Sequence, residues 1–249
     1  MKKLLAVLMA LAMVLCFAAC GKTEEPAPAA TEEPAPAETA EPAPAEDVMS
    51  YADYMAAELD SEVVIETYVQ AHQSWWDNTV TCYTQDEDGA YFLYNMQCSE
   101  EDAAKLVPGT KIKVTGYKSE WSGEVEIVDA VFEFEDGSYV APATDVTALL
   151  GTDELIQEQN KFVAFKGLTV ESEAIYKWDG SGQDGDDLYF DVSLDGNTYS
   201  FTVESYLCGA GTEVYEAVKQ LKAGDVVDLE GFLYWYEGAN PHITSVTVK

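Results

Sequence analysis

No arginine occurs anywhere in the chain: 13 basic residues, all lysine, stand against 46 acidic ones, for a formal net charge of −33. Binding to nucleic acid rests largely on Lys and Arg displacing counterions from phosphates. The composition therefore points away from a nucleic-acid partner, and it removes a nuclease of the staphylococcal type, which needs arginine on the phosphate. Cysteine is scarce as well. Cys16 sits in an apolar leader and Cys20 is accounted for below, which leaves Cys82, Cys98 and Cys208 for the folded part. An odd number of thiols cannot all pair within one chain, no C-x-x-C is present, and the histidines His72 and His242 stand far apart in sequence. No zinc site can be assembled from these, and no metal or cofactor is assigned. G-x-S-x-G is absent, and neither histidine has a Ser or Cys at an interpretable spacing. Acidic pairs such as Glu100-Glu101 are common, but nothing singles out two carboxylates in one cleft. The chain is read as non-enzymatic.

What is present begins with an address. Met1-Lys2-Lys3 precedes an apolar run, Leu4–Phe17, too short to span a bilayer. The run ends in Phe17-Ala18-Ala19-Cys20-Gly21, small residues before a cysteine, which resembles the bacterial lipobox. Residues 1–19 are read as a lipoprotein signal peptide and Cys20 as the lipidated first residue of the exported chain. The expected location is the extracytoplasmic face of the cell membrane. In residues 20–46 the pentapeptide EPAPA recurs at 25–29, 33–37 and 41–45. Proline at alternate positions forbids helix, and Glu and Ala supply no core. Extended as polyproline II at about 3.1 Å per residue, such a spacer reaches roughly 80 Å from the membrane.

Beyond the spacer the chain repeats itself. In the segment starting at Leu106, Gly109, Gly116 and Gly123 fall on Gly224, Gly231 and Gly238 of the segment starting at Leu221, at a constant offset of 115. Glycines in register mark positions that need positive φ or close backbone approach. Ile112 and Val114 alternate between them in one copy, Val226, Val227 and Leu229 in the other. Val63-Val64-Ile65 matches Val163-Ala164-Phe165 at offset 100, Asp88-Gly89 matches Asp195-Gly196 at 107, and Cys98 matches Cys208 at 110. The offset only grows, and each step falls in an expected loop or helix, as in a duplicated domain with local insertions. Residues 47–60 have helical spacing and are expected to cap the first copy. Helices are expected over Ser99–Leu106 and Thr212–Leu221, where Val214, Tyr215, Val218 and Leu221 share one face. A Cys82–Cys98 bridge is disfavoured, because a tight turn at Asp86–Gly89 sets Cys82 opposite Leu93.

Each copy thus reads strand, hairpin, strand, helix, hairpin. That order, with glycine-bounded strand four, resembles the OB-fold, a five-stranded Greek-key barrel with a helix between strands three and four. The expected fold is mainly β: two tandem OB-like barrels, 47–137 with its N-terminal helix and 160–249, joined by a linker at 138–159. More narrowly, the chain resembles the tandem OB-type lipoproteins of gut Firmicutes, a resemblance that implies a location and a fold and no particular activity.

OB-folds bind oligonucleotides or oligosaccharides across strands two and three, between the 1–2 and 4–5 loops. Aromatic residues occur at both loops in both copies: Trp75, Trp76 and Trp121 in the first, Tyr176, Trp178, Tyr234, Trp235 and Tyr236 in the second. Such rings stack on sugar faces without a cationic groove, so the expected function is a non-catalytic module for a glycan, peptide or cell-wall component. The alternative is a structural or accessory envelope lipoprotein making protein–protein contacts, with the same rings plugging the barrels. Exposure of Trp76, Trp121, Trp178 and Trp235 separates the two. The loop Asp179–Asp187 is rich in carboxylates, but Asp184 stands where an EF-hand needs glycine and no glutamate closes the motif, so it is read as a solvated acidic loop.

Overall fold

The computed structural model describes residues 47–249; the leader, Cys20 and the Glu/Pro/Ala spacer lie outside the described residues. The first unit opens with α1 (Tyr51–Ala56), shorter than the 47–60 stretch expected, N-capped by the Ser50 hydroxyl, which accepts from Asp53 N. At its other end the Lys118 Nζ donates to the carbonyl oxygens of Tyr54, Met55 and Ala57 at 2.8–2.9 Å. A buried ammonium thus satisfies carbonyls that a helix C-terminus leaves without partners.

Five strands follow: β1 (Glu62–His72), β2 (Thr79–Gln85), β3 (Ala90–Gln97), β4 (Thr110–Trp121) and β5 (Glu124–Ser138), with α2 (Glu100–Ala103) between the third and fourth. They close into a barrel in the order β1-β2-β3-β5-β4, with β3 and β5 parallel. The second unit adds β6 (Thr144–Asp145), β7 (Phe162–Val170), β8 (Ile175–Tyr176), β9 (Leu188–Leu194), β10 (Asn197–Val203), α3 (Glu213–Val218), β11 (Val226–Phe232) and β12 (His242–Val248). Pairing of β7 with β9 closes the ring β7-β9-β10-β12-β11. That is the same order, again with strands three and five parallel. Both rings have the Greek-key connectivity of the OB-fold, and the chain is two such barrels in tandem.

The duplication holds at the level of register. Val63 pairs with Gly116 and Val163 with Gly231, so offsets of 100 and 115 meet in the same strand pair. The ladder slips at both glycines. A Cβ on Gly116 would meet Ile127 Cγ2 at 2.6 Å, and one on Gly231 would meet the His242 carbonyl oxygen at 2.2 Å. These are β-bulges where the facing strand comes too close for any side chain. Gly109 and Gly224 instead take φ of +93° and +94°. Ile112, Val114, Val227 and Leu229 are fully buried. Cys82 pairs with Leu93, as the turn length requires, and all three described cysteines are free thiols.

Two features depart from the expected outline. The segment read as a linker, 138–159, carries β6 and two 3-10 turns, and it sets Val146, Leu150 and Leu155 into the core of the second barrel. The barrels also share a seam. Tyr83 and Phe92 of the first pack with Phe232 of the second, Tyr83 stacking on Phe232 at 4.5 Å. Polar side chains bridge the same seam: Gln85 accepts from Phe162 N, Gln159 Nε2 donates to Gly123 O, and Asn160 Nδ2 donates to Val125 O. The 4–5 hairpins meet as well, with Glu237 N donating to Ser122 O at 2.7 Å.

Candidate ligand groove on the second barrel

Strand alternation builds the floor of the site. On β9, Leu188, Phe190 and Val192 turn into the core, which sends Tyr189 and Asp191 outward. On β10, Phe201 and Val203 are buried in the core, and Ser200 and Thr202, followed by Glu204 just past the strand, run along the other face. These outward residues line a groove of about 940 Å³ on strands two and three of the second barrel. One wall comes from the 1–2 connection, through Ile175, Trp178 and Asp187; the opposite wall comes from the 4–5 connection, through Tyr234, Tyr236, Asn240 and the start of β12, His242. The volume falls in the usual range for small-molecule sites.

The walls differ in rigidity. Trp178 is 77% exposed and Tyr236 is half exposed, so both rings stand free at the rim. Tyr234 is fixed: it stacks on His242 at 4.4 Å and packs on Phe92 of the first barrel at 5.3 Å. Both Glu204 oxygens accept backbone N–H groups, Oε1 from Tyr206 and Oε2 from Leu207. Burial, assisted by the neighbouring Asp187 charge, still raises its carboxyl to about 7 against those hydrogen bonds. Asp187 is held in turn by Ser205 N at 2.8 Å. Burial, and then the Asp187 charge, raises the Tyr189 phenol, which stays protonated at neutral pH. Burial pushes the His242 imidazole down to about 3, so it is neutral.

Of the residues picked from sequence, Trp178, Tyr234 and Tyr236 come together here. Tyr176 and Trp235 pack against the core of the second barrel, and the Trp235 ring lies over Gly123 of the first. Trp75 packs against the first core and donates its indole N–H to Cys98 O at 2.8 Å. Trp76 and Trp121 are exposed but do not line the groove. Sequence reasoning missed Tyr189, Asp191 and Glu204, although strict alternation on β9 and β10 carries the signal. In the acidic loop Asp184 pairs with Lys219 at 2.8 Å, Asp186 with Lys177 at 3.8 Å, and Asp179 accepts from Ser181. No group of acidic, Cys or His side chains suited to a metal ion occurs among the described residues.

No family model and no curated protein matches the chain. Among solved structures it is similar to the p204 HINb domain, at 12% identity and a TM-score of 0.36, covering 78% of this chain and 100% of that one. It is also similar to the Ifi202 HINa domain in complex with 20bp dsDNA, at 11% identity and 0.35, covering 76% and 98%. A replication protein A heterotrimer bound to ssDNA matches at 12% identity and 0.32, covering 76% of this chain and 49% of that one. At these values the likeness is one of architecture. Two expectations are corrected at this point. The matched structures include DNA-bound ones, where the sequence had led to the expectation of a glycan or peptide ligand and no nucleic acid. The composition argument had weighed charge alone, whereas OB-type faces hold single strands in part by stacking bases on aromatic rings. Neither expectation is carried further.

Proposed function

We propose that the chain is a lipid-anchored, extracytoplasmic, non-catalytic binding protein whose second barrel takes a small ligand in the β9–β10 groove, the first barrel serving as its rigid support. The leader with Cys20 at its end supports the anchor, and the repeated EPAPA spacer supports stand-off from the membrane. One observation carries the binding reading: free rings from both flanking loops, Trp178 and Tyr236, face a groove floored by outward polar side chains. A plugged barrel end would turn those rings inward, as Tyr176 and Trp235 do.

Fractionation tests the anchor. The wild-type chain stays with the membrane and Cys20→Ala is released; identical partitioning overturns it. For the groove, amide chemical-shift mapping of the exported Cys20→Ala chain with a small-molecule fragment pool is expected to perturb residues 187–191, 200–204 and 234–240. Perturbations confined to the first barrel overturn the assignment.

A further inference from the structure

Resting on that groove reading, we propose that the ligand is a small linear polyamine, its spaced ammonium groups lying among Asp187, Asp191 and Glu204 and its methylene chain against Trp178, Tyr189 and Tyr236.

Charge sets the sign. The groove is lined by three carboxylates and by no lysine. None of the three has an ion-pair partner among the described residues, whereas Asp184 and Asp186 of the adjoining loop are already paired with Lys219 and Lys177. The groove acids are therefore left without a counter-charge among the described residues. Around them stand ring faces, whose quadrupoles also favour cations. The aromatic and the acidic contributions select the same kind of guest.

Geometry then sets its shape. The carboxylates sit on three separate segments, the 1–2 connection, β9 and the end of β10, and no metal-holding cluster forms among the described residues. A bare divalent ion needs several oxygens converging on one point. Two neighbouring acids, Asp187 and Glu204, at one end of the groove and Asp191 further along β9 instead suit a cation whose charges are themselves separated, with apolar chain between them to cover the rings. A volume of about 940 Å³ exceeds what one ammonium group fills. Glu204 is placed for the exchange: both oxygens are oriented by backbone N–H groups, and burial leaves the carboxyl at about 7, so a neighbouring ammonium completes its ionisation.

The test is calorimetric titration of spermidine into the exported chain carrying Cys20→Ala, with MgCl2 and KCl at matched ionic strength. One saturable site is expected, weakened at least tenfold by Glu204→Gln and by Trp178→Ala, and unchanged by Glu87→Gln with Glu100→Gln, which removes two exposed charges from the first barrel. Because Trp178 is exposed, its loss leaves folding intact, checked by circular dichroism. Equal competition by magnesium, or equal weakening by the first-barrel pair, would mean diffuse attraction to a polyanion and overturns the proposal. A dT15 oligonucleotide is titrated in parallel. Binding of dT15 but not spermidine, abolished by Trp178→Ala, keeps the groove and overturns the polyamine; binding of neither probe overturns the polyamine and leaves the fragment map above to decide the groove.

Discussion

The Tyr83 hydroxyl of the first barrel lies 2.6 Å from Nδ1 of His242 in the second. Burial holds the phenol protonated and the imidazole neutral, so the two share a hydrogen bond between uncharged groups. His242 in turn stacks on Tyr234, which walls the groove. A contact between barrels thereby fixes a ring at the candidate site.

Tyr83→Phe removes the hydroxyl and leaves a buried ring nitrogen unpaired. The expected cost is about 1–3 kcal/mol, read from urea unfolding. Tyr234 is expected to loosen at the same time, visible as lower hydrogen-exchange protection around 234–242. Unchanged stability would show that the bond contributes nothing net.

Glu124 sits fully buried at the seam, with Oε2 accepting from Trp235 N and Oε1 unpartnered. Burial raises its carboxyl to about 9 against the Trp235 hydrogen bond. A folded-state value above the unfolded one means the native state binds more protons, so stability falls as pH rises from the ordinary carboxylate range towards about 9. At pH 7 the penalty is on the order of 3 kcal/mol. Glu124→Gln keeps an acceptor for Trp235 N without the charge. Its stability is expected to match wild type near pH 4 and to exceed it increasingly up to pH 9, measured by denaturant midpoints across pH.

Gly231→Ala forces a methyl onto the His242 carbonyl oxygen, where the gap is 2.2 Å. Strand displacement at the bulge is expected to cost about 2–3 kcal/mol. Gly167→Ala is a useful contrast: no atom lies near its added Cβ, and only its φ of +68° resists, at about 1 kcal/mol. Equal melting points for the two variants would contradict the close-approach account.

The tryptophans of the two 4–5 hairpins are expected to differ sharply. Trp121→Ala, at a ring 61% exposed, should change stability by less than about 0.5 kcal/mol. Trp235→Ala, which empties the space between the second core and Gly123, should cost about 2–3 kcal/mol in the same unfolding assay.

These contrasts show where the sequence was informative. Gly116 and Gly231 announced their bulges because a backbone without a side chain leaves a mark at any distance, and Cys82 could be set against Leu93 because hairpin length fixes register. The barrels were legible for that reason. The seam was not: β2 is buried on both faces, so Tyr83 reads as one more apolar strand residue although it points into the other barrel. Nor could loop composition sort the rings. Trp235 and Tyr236 are neighbours, yet one packs on a core and the other stands in the groove, a difference set by where the hairpin lands. The Glu204 carboxyl is perturbed by burial under chain that comes together only after folding.

Ser122 and Glu237, joined by a main-chain hydrogen bond, occupy the same place in the two copies, 115 positions apart. A lone barrel of this sequence type would meet its twin only at sufficient concentration. Written on one polypeptide, the pairing is unimolecular and indifferent to dilution, so even a scarce molecule keeps its buttressed pocket wall.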